Sequence, residues 1–389
     1  MVGRPPVDRG ALGTVRSFGI LSTFPPTACG IATFAAALAA GLIAGGATVD
    51  VVRCNDVDDI EDPLVVASMG IGGAEASLAA IDALNRTDVA IVQHEYGIYG
   101  GRDGDEVLVV LDALTVPCVV VAHTVVRRPT AHQRWVLERV CDAADAVVVM
   151  TEHARRRLVQ DYDVDAGRVS VISHGATTPP DGSSDAWDRA PGDRLRLLTW
   201  GLLGPGKGIE WAIDAMAMLA DVRPLPSYLV AGATHPKVLA TDGEAYREML
   251  QRRCWSTKAV RSVTFDESYR DLAALTRMIG RADLVVLPYD SEDQVTSGVL
   301  VDAVACGRPV VATAFPHAVE LLSDGAGIVV PQRDAAALAD VVGGLVDHPE
   351  HLELMAAACR RLAPELSWPV VAGRYDELAT SLLATGVTA

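Results

Sequence analysis

Several things are scarce or missing in this chain of 389 residues, and each absence excludes something. Aromatic residues make up only 5%, while Ala and Val are abundant, a mix that suits helices packed on buried parallel strands. No apolar run reaches the roughly 18 residues that a membrane-spanning helix needs. The first 13 residues lack an apolar h-region, so they read as a loose tail and not as a signal peptide. The seven cysteines (Cys29, Cys54, Cys118, Cys141, Cys254, Cys306 and Cys359) are scattered and odd in number, and form no C-x-x-C. That pattern excludes a zinc spacing and a disulfide framework, and predicts reduced thiols in a cytoplasmic protein. Basic residues are outnumbered, 33 against 50 acidic, for a formal net charge of -17. General nucleic-acid binding needs basic patches and is not expected here. No G-x-G-x-x-G follows either first strand, which argues against a dehydrogenase.

What is present is apolar residue, half of the chain, with Ala and Val abundant. Short apolar runs alternate with segments of helical period. Strands are predicted at 16–22, 48–53, 89–94, 119–123, 146–150 and 169–173, with helices at 31–44, 74–84, 104–114, 132–143 and 152–162 between them. A Pro-, Gly-, Ser- and Asp-rich stretch at 177–193 then breaks the pattern and reads as a linker. The alternation restarts with strands at 195–200, 228–231, 262–265, 284–288, 310–312 and 327–330. Helices are expected at 209–219, 243–255, 270–280, 298–305 and 335–346, then at 350–362 and 370–383, interrupted around Ser367 to Pro369. Continuous apolar strands alternating with helices mean parallel, doubly wound sheets. The chain is therefore α/β, with two Rossmann-like domains at 14–178 and 194–369. Ligands of such sheets sit at the carboxyl ends of the strands, so the expected site is a central cleft between the domains.

Five stretches at strand ends carry possible chemistry. TFPPTACGIATF (23–34) leads from a strand into a helix starting near Gly30, where free N–H groups favour an anion. QHEYGIYGG (93–101) places His94, Glu95 and Tyr96 where they can bind hydroxyls. VVVAHTV (119–125) ends a buried strand in His123. GLLGPGKG (201–208) sets Lys207 in a Gly-rich loop suited to a phosphate, although its spacing is not that of a P-loop. PYDSEDQVTSGVLVDAVACGRPVVAT (288–313) starts a helix at Ser297 and Gly298, with Asp302 just over one turn inside and Gln294 before it. That helix start suits a diphosphate, and Asp302 suits ribose hydroxyls.

Together these residues resemble the family 4 retaining glycosyltransferases, which have the GT-B fold, over nearly the whole chain. SGVLVDAVACGRPVVAT is similar to the family's E-G-F-G-L-x-x-x-E-A-x-A-x-G-x-P-V-V-A-T. The resemblance implies that Lys207 neutralises the donor diphosphate, helped by Ser297, Gly298 and the Gly30 loop. It gives Asp302 the ribose, and sets Gln294 and His123 by the donor sugar. It puts the stretch from Phe265 to Leu272 beside the nucleotide base, with Glu95 and Tyr96 on the acceptor side. It also implies that the C-terminal helix, within 370–389, packs back on the first domain. The implied partners are a nucleotide-sugar donor and a sugar or small-molecule acceptor, with no cofactor and no metal. With no carboxylate placed as a nucleophile, front-face transfer with retention is expected. Three positions depart from the family. Leu202 stands where an Arg is usual, and Gln294 and Asp302 replace two glutamates. Arg102, Arg127 and Arg128 are the candidates for the missing cation. A glycoside phosphorylase and a non-catalytic sugar or nucleotide binder remain as alternatives on the same fold.

Overall fold

The computed structural model describes residues 17–27, 29–54, 62–70, 74–177, 192–268, 270, 272–291 and 295–386. Gln294 and most of the expected linker lie outside the described residues.

Two sheets account for every strand described. The first runs β3 (Val65–Met69), β2 (Thr48–Cys54), β1 (Ser17–Ser22), β4 (Val89–His94), β5 (Cys118–Ala122), β6 (Ala146–Val149) and β7 (Val169–Val171). The second runs β10 (Val263–Asp266), β9 (Ser227–Ala231), β8 (Arg196–Trp200), β11 (Leu284–Leu287), β12 (Val310–Thr313) and β13 (Gly327–Val330). All pairings are parallel. Both sheets follow the same doubly wound order, so the winding direction reverses between β1 and β4 and again between β8 and β11.

The strands are apolar on both faces because helices cover both. Along β4, Val89 and Ile91 enter one core while Ala90 and Val92 enter another. Along β11, Leu284 and Val286 face one side, with Val285 and Leu287 on the other. The C-terminal helix, Trp368–Gly386, lies against the helix Gly30–Ala44 of the first domain, and Val371, Ala372, Tyr375 and Ala379 join that domain's core. The return crossing pairs with the outward one: Ala176 N–H donates to Leu366 O at 2.7 Å.

Some elements differ from expectation. The edge strand β3 was not predicted, because it is only partly buried and lacks a continuous apolar run. The helix expected at 104–114 shortens to Val107–Leu111. Gly104 has φ +77 and its missing Cβ would lie 2.9 Å from Tyr96 O, so the chain is not helical there. The helix expected at 243–255 begins only at Ala245, after a separate turn of helix at Pro236–Asp242. Gly243, at φ +60, divides the two. Pro369 does not interrupt the last helix but lies in its first turn, where its missing N–H costs nothing.

Candidate active site

The five sequence stretches converge on the two reversal points of the sheets. In the first domain they follow β1, β4 and β5, and in the second they follow β8 and β11. Loops at such points splay apart and leave a crevice.

The β8 loop depends on glycine. Gly201, Gly206 and Gly208 have φ of +116, +90 and +60. A Cβ on Gly208 would lie 1.9 Å from Pro288 O at the end of β11. This close approach draws the β8 loop onto the β11 loop. Lys207 is half-buried there, with Nζ 4.4 Å from the centroid of the Tyr289 ring. No carboxylate among the described residues forms an ion pair with it. A second cation, Lys237, belongs to the same neighbourhood. Burial lowers the pKa of His235, and the charges of Lys237 and Lys207 lower it further. Lys237 also reaches the first domain, because a Cβ on Gly97 would collide with its Nζ.

The helix Gly298–Ala305 starts beside this loop. Ser297 caps it, accepting Leu300 N–H at 3.3 Å. The Ser297 N–H itself donates to Nδ1 of buried His317 at 2.9 Å. Burial drives the His317 pKa down to about 3, so the ring is neutral and can accept. The open donors at this helix end are therefore the N–H groups of Gly298 and Val299, together with the Ser297 hydroxyl proton. They project from the positive end of the helix. His174, from the segment after β7, closes on the same point, since a Cβ on Gly298 would lie 3.0 Å from its Nε2.

Asp302 is half-buried and accepts the Thr177 N–H. Burial pushes its pKa from 3.8 up to about 7. The folded chain thus keeps a proton that the unfolded chain releases, and stability falls as pH rises from about 4 to about 7. Asp302→Asn cannot ionise. Its melting temperature should rise relative to the parent as pH goes from about 5 to about 8. Parallel melting profiles across that range would show that Asp302 does not titrate in this way.

In the first domain, Gly30 opens its helix in free space, with nothing within 4 Å of its missing Cβ. Cys29 caps that helix through Sγ, which accepts Ala32 N–H at 3.3 Å. His123 is half-buried, with Nε2 2.6 Å from Gln93 Oε1. An amide oxygen only accepts, so Nε2 carries the proton and Nδ1 is the free lone pair. Burial, with smaller contributions from His174 and His94, lowers its pKa to about 3. His123 is therefore neutral near pH 7. Gln93 Nε2, Ser22 Oγ and both ring nitrogens of His94 are buried with no protein partner. All three side chains are 0% exposed, so this cluster lies beneath the cleft surface and not on it. Glu95 accepts Gly97 N–H at 2.9 Å and faces His235 across the cleft. Tyr96 instead turns its hydroxyl to Gln133 O at 3.2 Å.

Phe265 ends β10 at the sheet edge, partly buried, and Leu272 starts the helix Leu272–Arg281. Of the candidates for the missing cation, Arg102 lies at the surface beside Asp103, Arg128 is exposed, and Arg127 lines a separate cavity. Lys237, His174 and His317 were missed by sequence reasoning. Only His235-Pro236-Lys237 left a local signal, a cationic turn a few residues after β9, which ends at Ala231. Among the described residues, no three His, Cys, Asp or Glu side chains are grouped to hold a metal ion. No helix among them is long and apolar enough to cross a membrane.

Two doubly wound parallel sheets with their reversal points facing one cleft define the GT-B class of glycosyltransferase scaffold. Residues 28–178 match the family described as Glycosyltransferase Family 4, and residues 194–348 that described as Glycosyl transferases group 1. The chain belongs to the family 4 glycosyltransferases. D-inositol 3-phosphate glycosyltransferase of Thermomonospora curvata is 28% identical over 256 residues, covering 62% of this chain and 58% of that protein. Alpha-D-kanosaminyltransferase of Streptomyces kanamyceticus is 27% identical over 294 residues, 70% of each chain. The chain thus matches little more than half the length of the inositol-phosphate relatives. Sucrose-phosphate synthase from Thermosynechococcus elongatus shares the fold with a TM-score of 0.73 at 20% identity, covering 95% of this chain and 100% of that one. HepE of Anabaena, solved with UDP-glucose, has a TM-score of 0.69 at 16% identity, covering 94% and 99%.

Proposed function

We propose that this protein transfers a hexose from a nucleoside-diphosphate sugar to a hydroxyl of a small polar acceptor, with retention and without a metal. One observation carries this reading. Lys207 and the open N–H end of the helix Gly298–Ala305 meet at the β8/β11 reversal point, where a diphosphate would sit. Cleaving the bond from the anomeric carbon to phosphate leaves a sugar with oxocarbenium character and an anionic diphosphate. Preorganised positive charge and dipoles stabilise that leaving group. Lys207 and the N–H groups of Gly298 and Val299 supply them, and Lys237 adds charge where Leu202 supplies none. One relative's name supplies an acceptor class, a cyclitol phosphate, and another's supplies a transferred group, a kanosaminyl sugar. The neighbour solved with UDP-glucose makes UDP-glucose the first donor to try.

The carboxylates described around the cleft are already engaged. Glu95 holds Gly97 N–H, Asp302 holds Thr177 N–H, and Asp290 contacts Arg333 at 3.4 Å. None stands free as a nucleophile, so the departing phosphate oxygen takes the acceptor's proton on the same face. Nδ1 of neutral His123 accepts a hydroxyl of the donor sugar. The cytoplasm is the proposed location, in keeping with seven unpaired cysteines.

The test is to incubate the protein with UDP- and GDP-hexoses and neutral or phosphorylated cyclitols, and to follow the anomeric proton by NMR. Release of nucleoside diphosphate with an α-linked product from an α-linked donor is expected. A β-linked product would remove the retention claim. Cleavage driven by inorganic phosphate without nucleotide would replace the transferase by a phosphorylase.

A further inference from the structure

A cavity of about 600 Å3 opens between the domains, and Lys207 is not on its wall. Arg127, beyond the end of β5, forms one side with His153, Arg156 and Arg157 of the helix Glu152–Asp161. Pro316 and Gln332, beyond β12 and β13, form the other. Among the described residues, three arginines and one aspartate, Asp161, line it, in a chain of net charge -17. A cationic concavity on so acidic a protein is not a by-product of composition.

The arrangement is also held in place. Buried Arg157 donates to Val125 O at 2.8 Å, and Tyr162 donates to Val126 O at 2.6 Å. These two bonds fix the turn that presents Arg127. Arg157 also lies 3.2 Å from His153 Nε2. Burial lowers the His153 pKa, and Arg157 and Arg156 lower it further, the signature of a positive local field. Glu320 reaches across from the second domain, but its carboxylate is taken up by the N–H groups of Glu152 and His153 at 2.8 and 3.0 Å. That bidentate contact holds the two walls together, and the Glu320 charge offsets only part of the effect of Arg157 and Arg156 at His153. Gln332 in turn donates to Tyr289 O at 3.2 Å, and Tyr289 seats Lys207. The cavity therefore shares a brace with the donor site and shares its β5 loop with His123.

We propose that this cavity is a second anion site, taking the phosphate of a phosphorylated molecule of sugar size. Guanidinium groups match phosphate oxygens in pairs, and the volume exceeds what a lone phosphate fills. The phosphate comes either from the acceptor, which deepens the transferase reading, or from a separate regulator.

Arg127 and Arg156 are exposed, so Arg127→Ala/Arg156→Ala should fold. Glucose 6-phosphate, glucose and inorganic phosphate are the probes, titrated calorimetrically at low salt. The parent protein should bind glucose 6-phosphate and not glucose, and the double variant should bind it about tenfold or more weakly. UDP should bind both proteins alike. Equal affinity of the two proteins for glucose 6-phosphate, or none in the parent, overturns the proposal. Turnover identifies the source. If the phosphate belongs to the acceptor, the double variant loses kcat/KM only towards phosphorylated cyclitols. If it belongs to a regulator, inorganic phosphate alters the parent's turnover of a neutral acceptor and leaves the variant's unchanged. A chain that binds glucose 6-phosphate here but uses no nucleotide sugar upholds this site and removes only the transferase reading.

Discussion

Lys207→Ala should lower kcat with a nucleotide-sugar donor by about a hundredfold or more, while the melting temperature stays within about 2 °C of the parent. The two readouts separate because the Lys207 ammonium lies over the Tyr289 ring and has no ion-pair partner among the described residues. Where water still reaches the ammonium, as at half-buried Lys207, a cation–π contact contributes only about 0.5–1 kcal/mol to folding. In the transition state the same charge faces a departing diphosphate in a cleft of reduced dielectric, where it is worth far more. Lys237 should retain part of the stabilisation, so the loss is large without being complete. Steady-state kinetics and a thermal melt on one preparation check both halves. Unchanged turnover would remove Lys207 from the chemistry.

Gly208→Ala should do the reverse, damaging the scaffold first. Its φ of +60 is left-handed, and the added Cβ would lie 1.9 Å from Pro288 O, a backbone atom that no rotamer change can move. A loss of about 3 kcal/mol or more is expected, or roughly 6–12 °C in melting temperature for a domain of this size. Donor binding should weaken with it, because the β8 and β11 loops separate. Gly206→Ala is the control. It also has positive φ, but its nearest neighbour, Ser291 Cβ, would be 3.7 Å away. Only the conformational cost of about 1 kcal/mol should appear. Equal effects at the two glycines would show that the loops do not depend on this close approach.

Much of the fold was legible because parallel strands covered on both faces read as unbroken apolar runs. Val119–Val121 and Val147–Val149 could hardly be anything else. The edge strand β3 escaped because it is half-exposed and its short apolar run is broken by Ser68. The helix Pro316–Leu321 is too short to show a period. In the site, Lys207, Gly208 and the Ser297-Gly298 helix start were legible because glycine and cap positions are local properties of the chain. Lys237, His174, His317 and Glu320 were not. Each acts on a residue far away in sequence: Gly97, Gly298, Ser297 and Glu152, respectively. Packing of the two domains brings three of those pairs together, while Ser297 and His317 meet within the second domain. The missing cation illustrates the same limit. The sequence offered Arg102, Arg127 and Arg128 and its spacing could not choose among them; in the fold Lys237 acts on His235 together with Lys207, and Arg127 lines a different cavity.

The central claim is that the β8/β11 reversal point holds the diphosphate of a nucleotide sugar. Calorimetric titration of the parent protein and Lys207→Ala with UDP, GDP and ADP tests it most directly, since it needs neither the acceptor nor the sugar. At least one of the three should bind the parent, and should bind Lys207→Ala about tenfold or more weakly. Failure of all three to bind the parent, or equal affinity for both proteins, would contradict it.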